Sequence, residues 1–100
     1  MADHIFTIDA GHRCLDGHFP GAPIVPGVVL LDHVGRAATN RYGGRLRRIV
    51  RCKFVAVLHP GEPCAVELTR KSACRLQFAC NGPAGCVAHG VLEWSDRIDG

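Results

Sequence analysis

"PGVVLLDHVGRAATNRYGG", Pro26 to Gly44, decides the fold. A proline suits the first turn of a helix, where its missing N–H costs nothing and its fixed φ helps. The paired glycines Gly43 and Gly44 suit a C-terminal cap and turn. The stretch therefore predicts one helix running to about Asn40. Val28, Val29, Leu30, Leu31, Val34, Ala37 and Ala38 leave hardly any polar stripe on it. A helix apolar nearly all round is one buried on most sides.

Beyond Gly44 the period changes from helix to strand. "RLRRIVRCKFVAVL" places Leu46, Val50, Cys52 and Phe54 on one face and Arg47, Arg51 and Lys53 on the other, with an irregularity at Arg48 and Ile49. "HPGEP" and "NGPAG" are turns, and "CAVELTR", "CRLQFAC" and "CVAHGVLEW" alternate as three further strands. Ahead of the helix, "HIFTIDA" (His4 to Ala10) alternates as a first strand, and the glycines and prolines from Gly11 to Pro26 make a long loop. The expected class is α+β: an antiparallel sheet curled around one long central helix, in a single domain spanning residues 1–100. One sheet of a 100-residue chain cannot wrap the helix completely, so a partner subunit is expected to continue the sheet edge to edge as a dimer.

Composition narrows the function. The net charge of +3 comes from ten arginines and two lysines against nine acidic residues, which is too mild to imply nucleic acid by itself. Aromatics make up 6% of the chain, with no interleaved stacking platform for RNA. No apolar run reaches the ~18 residues of a membrane span, and "MADHIFTIDAGHR" lacks the features of a secretion signal. The expected location is the cytoplasm, so the six cysteines are expected as free thiols, mostly small buried residues. Cys74, Cys80 and Cys86 lie six apart with no CxxC pair, which argues against a structural metal site.

The richest stretch is "GHFPGAPIVPGVVLLD", Gly17 to Asp32. It resembles the signature of the hot-dog-fold 3-hydroxyacyl-acyl carrier protein dehydratases of the FabZ and FabA type. His18 and Asp32 are fourteen apart, with Phe19-Pro20-Gly21 and Pro26-Gly27 in register, and "CKFVAVLHPGEPCAVEL" resembles the next strand, turn and strand of that family. The resemblance implies a lyase that needs no cofactor, with its substrate carried on the phosphopantetheine of an acyl carrier protein or on coenzyme A. It implies a homodimer, a higher oligomer of dimers or a heterodimer with a related subunit, in which His18 of one subunit works with Asp32 of the other. Fatty acid, polyene and polyketide biosynthesis all remain open as its setting.

The residue types suit this chemistry independently. Dehydration removes a weakly acidic proton from C2 and expels hydroxide from C3. The neutral imidazole of His18 can serve as base. Asp32 can protonate or position the departing oxygen. Backbone N–H groups at the helix start, with Gly27 free of any side chain, can stabilise charge on the thioester oxygen. Phe19, Gly21, Pro26, Val28 and Leu31 are expected to line the acyl site. Arg36, one turn after Asp32, is the obvious ion-pair competitor for it. His12, His33, His59 and His89 are read as structural or surface residues, and Trp94 as a core or interface residue.

The run "RYGGRLRRIVRCK" holds Arg41, Arg45, Arg47, Arg48, Arg51 and Lys53. Arg45, Arg47, Arg48, Arg51 and Lys53 are expected to dock an acidic carrier protein. Two rival functions remain: a hot-dog acyl thioesterase, and a non-catalytic acyl carrier-binding partner subunit.

Overall fold

The computed structural model describes residues 2–9 and 24–96. Its elements are β1 (His4–Phe6), α1 (Gly27–Tyr42), β2 (Arg45–Phe54), β3 (Cys64–Ser72), β4 (Arg75–Gly82) and β5 (Gly85–Ser95). All pairings are antiparallel, and the sheet order is β1-β3-β4-β5-β2. Among the described residues, one strand before a single helix and four after it make the expected α+β plan. The first strand is shorter than the alternation suggests, ending at Phe6, although Ile8 beyond it is still buried.

Period-two alternation on the strands meets a stripe of period 3.6 on the helix. Val66 and Leu68 of β3, Leu76 and Phe78 of β4, and Leu92 and Trp94 of β5 turn inward against Leu30, Val34, Ala37 and Ala38. The sheet covers that helical stripe alone. Val28 is 73% exposed, and Asp32 and Arg36 continue the open side at i+4 and i+8. Among the described residues burial on most sides is therefore not met, because one sheet offers the helix one surface.

The strand β2 also departs from simple alternation. Its ladder with β5 shifts between Leu46 and Arg48 and again between Ile49 and Arg51, leaving Arg47 and Val50 out of register. Each extra residue resets which side chains share a face. The inward set is Leu46, Ile49, Cys52 and Phe54, opposite Trp94, Leu92, Gly90 and Ala88. Ile49 thus takes the place the even alternation gives to Val50.

The helix ends are set by backbone chemistry. Pro26 is the N-cap, with φ −62° and ψ 145°, one position earlier than a first-turn proline. The helix runs to Tyr42, two residues past Asn40, and Gly43 caps it at φ 70°, its N–H donating to the Thr39 carbonyl at 2.9 Å. The indole of Trp94 donates to the Gly43 carbonyl at 2.8 Å, so this buried residue also ties the helix end to β5. Arg41 pairs with the carboxylate of Asp3, which also accepts the Leu68 N–H at 2.7 Å. Arg41 is therefore a tie between α1 and the β1 edge rather than a member of a docking row. No helix among the described residues is long and apolar enough to cross a membrane.

Candidate functional site

The start of α1 is left bare by its own sequence. Pro26 has no side-chain acceptor, and no side-chain cap bond is formed. Its carbonyl accepts from Val29 at 3.0 Å and Leu30 at 3.4 Å, while no described residue accepts from the N–H of Gly27 or Val28. Unpaired amides at a helix start carry the positive end of the helix dipole. The Val25 N–H donates to the Leu58 carbonyl at 2.8 Å, pinning this start to the chain that follows β2. On the β2 side Phe54 closes over Gly27: a Cβ at Gly27 would lie 2.7 Å from the tip of the ring. Only glycine lets the ring come so near.

Asp32 stands on the open side of the helix, about 7.5 Å along the axis from Gly27 at 1.5 Å per residue. Two clefts flank it. One, of about 500 Å3, runs between α1 and the beginning of β2, with Leu31, Asp32, Arg36, Arg45, Leu46 and Trp94 in its walls. The other, of about 440 Å3, runs between α1 and the end of β1, with Thr7, Ile8, Val28, Val29, Asp32 and His33 in its walls. Asp32 and Arg36 form the ridge between them. The Arg36 Nε lies 2.9 Å from Asp32 Oδ2, and both side chains are more than half exposed. The competing ion pair expected from the sequence is formed.

His33 packs inward from the second cleft. Its ring stacks on Phe6 at 3.8 Å with an interplanar angle of 3°, and its Nδ1 lies 3.1 Å from Nε2 of His4. Sequence reading did not bring His4 and His33 together beside Asp32. The available signal was His4 in the strand destined to pack on the helix that carries His33.

Of the expected acyl-site residues, Pro26 and Gly27 form the bare helix start, Val28 and Leu31 fall in opposite clefts, and Asp32 borders both. His18, Phe19 and Gly21 lie outside the described residues.

The expected docking cations all fall on β2. Arg48, Arg51 and Lys53 lie opposite Glu93, Val91 and His89, on the face away from the helix, Arg45 lies opposite Ser95 where β2 begins, and Arg47 sits in a bulge. Arg48 is engaged by Glu93 at 3.5 Å, which also lies 3.8 Å from Arg75. Arg45 reaches the larger cleft.

The described cysteines are free thiols with mixed burial. Cys64 and Cys80 are fully buried, Cys52 is half-buried, and Cys74 and Cys86 are exposed, contrary to a uniform core role. Cys74 is exposed because it lies in the β3–β4 turn, and Cys86 because it opens β5. The hydrogen bond with Cys64, and then burial, push the Cys80 thiol far above its ordinary range, and burial raises Cys52. Among the described residues, no three His, Cys, Asp or Glu side chains gather as metal ligands.

The family model described as ApeI-like, ApeI dehydratase, matches residues 1–91. The FabZ 3-hydroxyacyl-[acyl-carrier-protein] dehydratase of Lactobacillus helveticus is 36% identical over 72 residues, covering 63% of this chain and 49% of that protein. The FabZ of Wolbachia pipientis is 31% identical over 67 residues, covering 58% and 47%. The chain thus spans about half the length of these relatives. The dehydratase heterocomplex ApeI:P from Xenorhabdus doucetiae contains a chain that superimposes with a TM-score of 0.79 at 23% identity, covering 91% of this chain and 83% of that one. A protein from Erwinia carotovora subsp. atroseptica gives 0.79 at 24% identity, covering 95% and 82%.

Proposed function

The chain belongs to the ApeI-like dehydratase family of hot-dog proteins, and from that premise we propose that it removes water from a 3-hydroxyacyl thioester to give the trans-2-enoyl thioester. His18 takes the C2 proton, the C2–C3 double bond forms as the C3–O bond breaks, and Asp32 passes a proton to the departing hydroxyl, which leaves as water, and recovers it from the His18 imidazolium. The Gly27 amide, and the dipole behind it, receive the charge that builds on the thioester oxygen. His18 comes from one subunit and Asp32 from the other, and the substrate arrives on a carrier protein's phosphopantetheine or on coenzyme A. The acyl site is lined by Phe19, Gly21, Pro26, Val28 and Leu31, and the cations of β2 steer an acidic carrier.

One observation carries the reading. The Gly27 amide, from which no described residue accepts, opens the helix on which Asp32 stands exposed about one and a half turns later, between clefts of about 500 and 440 Å3.

The test is product analysis with the protein assembled with its partner subunit. A 3-hydroxyacyl thioester should yield enoyl absorbance and no free acid, and His18→Ala should remove the activity without unfolding the chain. Release of free acid would mark a thioesterase.

The Asp32–Arg36 ion pair favours one alternative, a subunit that keeps the fold and leaves the chemistry to its partner. In that case His18→Ala would leave the activity of the assembled protein unchanged.

A further inference from the structure

The cleft between α1 and the start of β2 has a notch that the fold does not account for. Leu31, Gly35 and Thr39 follow one another at i, i+4 and i+8 along its helical wall, and Gly35 leaves the middle of that ridge without a side chain. Glycine inside a helix is less favourable than alanine, so its presence there needs a cause. Neither of the usual ones applies. Gly35 stands in the regular part of α1, away from any turn, and a Cβ built on it would meet no described atom beyond its own helical neighbours within 4 Å. The space belongs to the cleft.

That space lies on the path of an acyl tail. Of the two clefts beside Asp32, one runs back to Val28 in the first turn, and the other runs on past Gly35 to Asn40, about 12 Å of helix. Leu31, Leu46 and the buried Trp94 give the second of these an apolar lining suited to methylenes. Gly35 lies about 4.5 Å beyond Asp32 along the axis. An extended chain advances about 3.3–3.6 Å for every three bonds, so a tail whose C3 sits at Asp32 draws level with Gly35 about four bonds on, near C7.

We infer that this cleft takes the acyl tail and that Gly35 selects its size, the missing side chain making room for 3-hydroxyacyl groups that extend past C7. The inference rests on the dehydratase reading, which sets C3 at Asp32, and adds to it the substrate class and the residue that chooses it. A side chain at this position would stand in the way of long tails and leave short ones short of it.

Gly35→Ala and Gly35→Leu test this in the assembled protein, with sedimentation checking that each assembles as the native chain does. Gly35→Ala should raise the melting temperature by a few degrees, because alanine favours the helix and meets nothing. A fall would mean that the glycine serves packing, and would overturn the inference. The kcat/KM values for 3-hydroxybutyryl and 3-hydroxydecanoyl thioesters are then compared. The decanoyl-to-butyryl ratio should fall at least about tenfold in Gly35→Leu, the scale on which one methylene is discriminated in an apolar pocket, and less in Gly35→Ala. A native protein that rejects the decanoyl group, or a ratio that does not move, overturns the inference. Loss of assembly in Gly35→Leu does so too, by giving the notch to a partner subunit. Calorimetric binding of the same two acyl groups as unreactive thioether analogues reads the ratio without turnover. A ratio that falls in binding while no enoyl product forms would uphold Gly35 as the selector and sink the dehydratase reading.

Discussion

The Phe54 ring lies so close to Gly27 that a methyl group on that glycine would stand 2.7 Å from it. The contact joins the edge strand to the helix start. Phe54 is 50% exposed and can swing aside, and alanine is intrinsically better than glycine in a helix by about 1 kcal/mol. Gly27→Ala should therefore leave the melting temperature within a few degrees. The displaced ring and the new methyl would crowd the amide, and misplacement on this scale costs about 10²-fold in rate. Kinetics and calorimetry on one preparation check both halves. A stable variant with full activity would remove Gly27 from the site.

Asp32 and Arg36 should separate under mutation. Both are exposed, so breaking their pair costs at most about 1 kcal/mol of stability. Asp32→Asn should lower kcat by about 10²-fold or more, the usual contribution of a proton-transferring group. Arg36→Gln releases the carboxylate oxygen that the guanidinium holds at 2.9 Å and should raise kcat severalfold. Steady-state kinetics of the two variants decide the matter. A fall in both would mean that Arg36 holds Asp32 in its working position.

Asp3 should matter more for stability than its place near the chain start suggests. Its carboxylate accepts from Arg41 and from the Leu68 N–H. Asp3→Ala leaves both donors without that acceptor, at a cost of about 1–3 kcal/mol. For a chain of this size that lowers the melting temperature by about 4–8 °C per kcal/mol. Asp3→Asn retains an acceptor for the Leu68 N–H and should lose less.

Cys80 gives stability a pH dependence of known sign. Its thiol is raised in the folded chain by the hydrogen bond with Cys64 and by burial, from 9.0. At Cys80 the folded state therefore keeps a proton that the unfolded chain releases, while the same hydrogen bond lowers the Cys64 thiol. This contribution is complete below pH 9.0 and is lost as pH rises above it, with a limiting slope of about 1.4 kcal/mol per unit. Urea midpoints at rising pH should fall more steeply for the native sequence than for Cys80→Ala. Alkylation of the folded protein should mark Cys74 and Cys86 first, and Cys64 and Cys80 only after unfolding.

The elements were legible where one local rule governs them. Pro26 and the Gly43-Gly44 pair bracketed α1 to within two residues, and "HPGEP" and "NGPAG" located turns between strands. The face of β2 was misread at Val50 because a bulge is a property of the pair of strands and leaves no periodic trace in either. The helix looked enclosed because its apolar residues were counted without knowing which surface each would meet. Arg41 read as one cation in a basic run, since its partner Asp3 is 38 residues away in sequence. The placement of Pro26, Gly27, Val28, Leu31 and Asp32 at the start of one helix was legible because they lie close together in sequence. The His4–His33 contact spans 29 residues and had no local signature.

The two bulges of β2 have a consequence for any strand laid along its free edge. A regularly pleated ribbon looks the same after sliding by two residues, so it can be docked at several offsets. A ribbon interrupted twice in ten residues has lost that translational sameness, and like a key with uneven teeth it offers one offset at which a mate fits. Subunits exchanged between kindred assemblies should therefore be rejected by misalignment even where their charges agree.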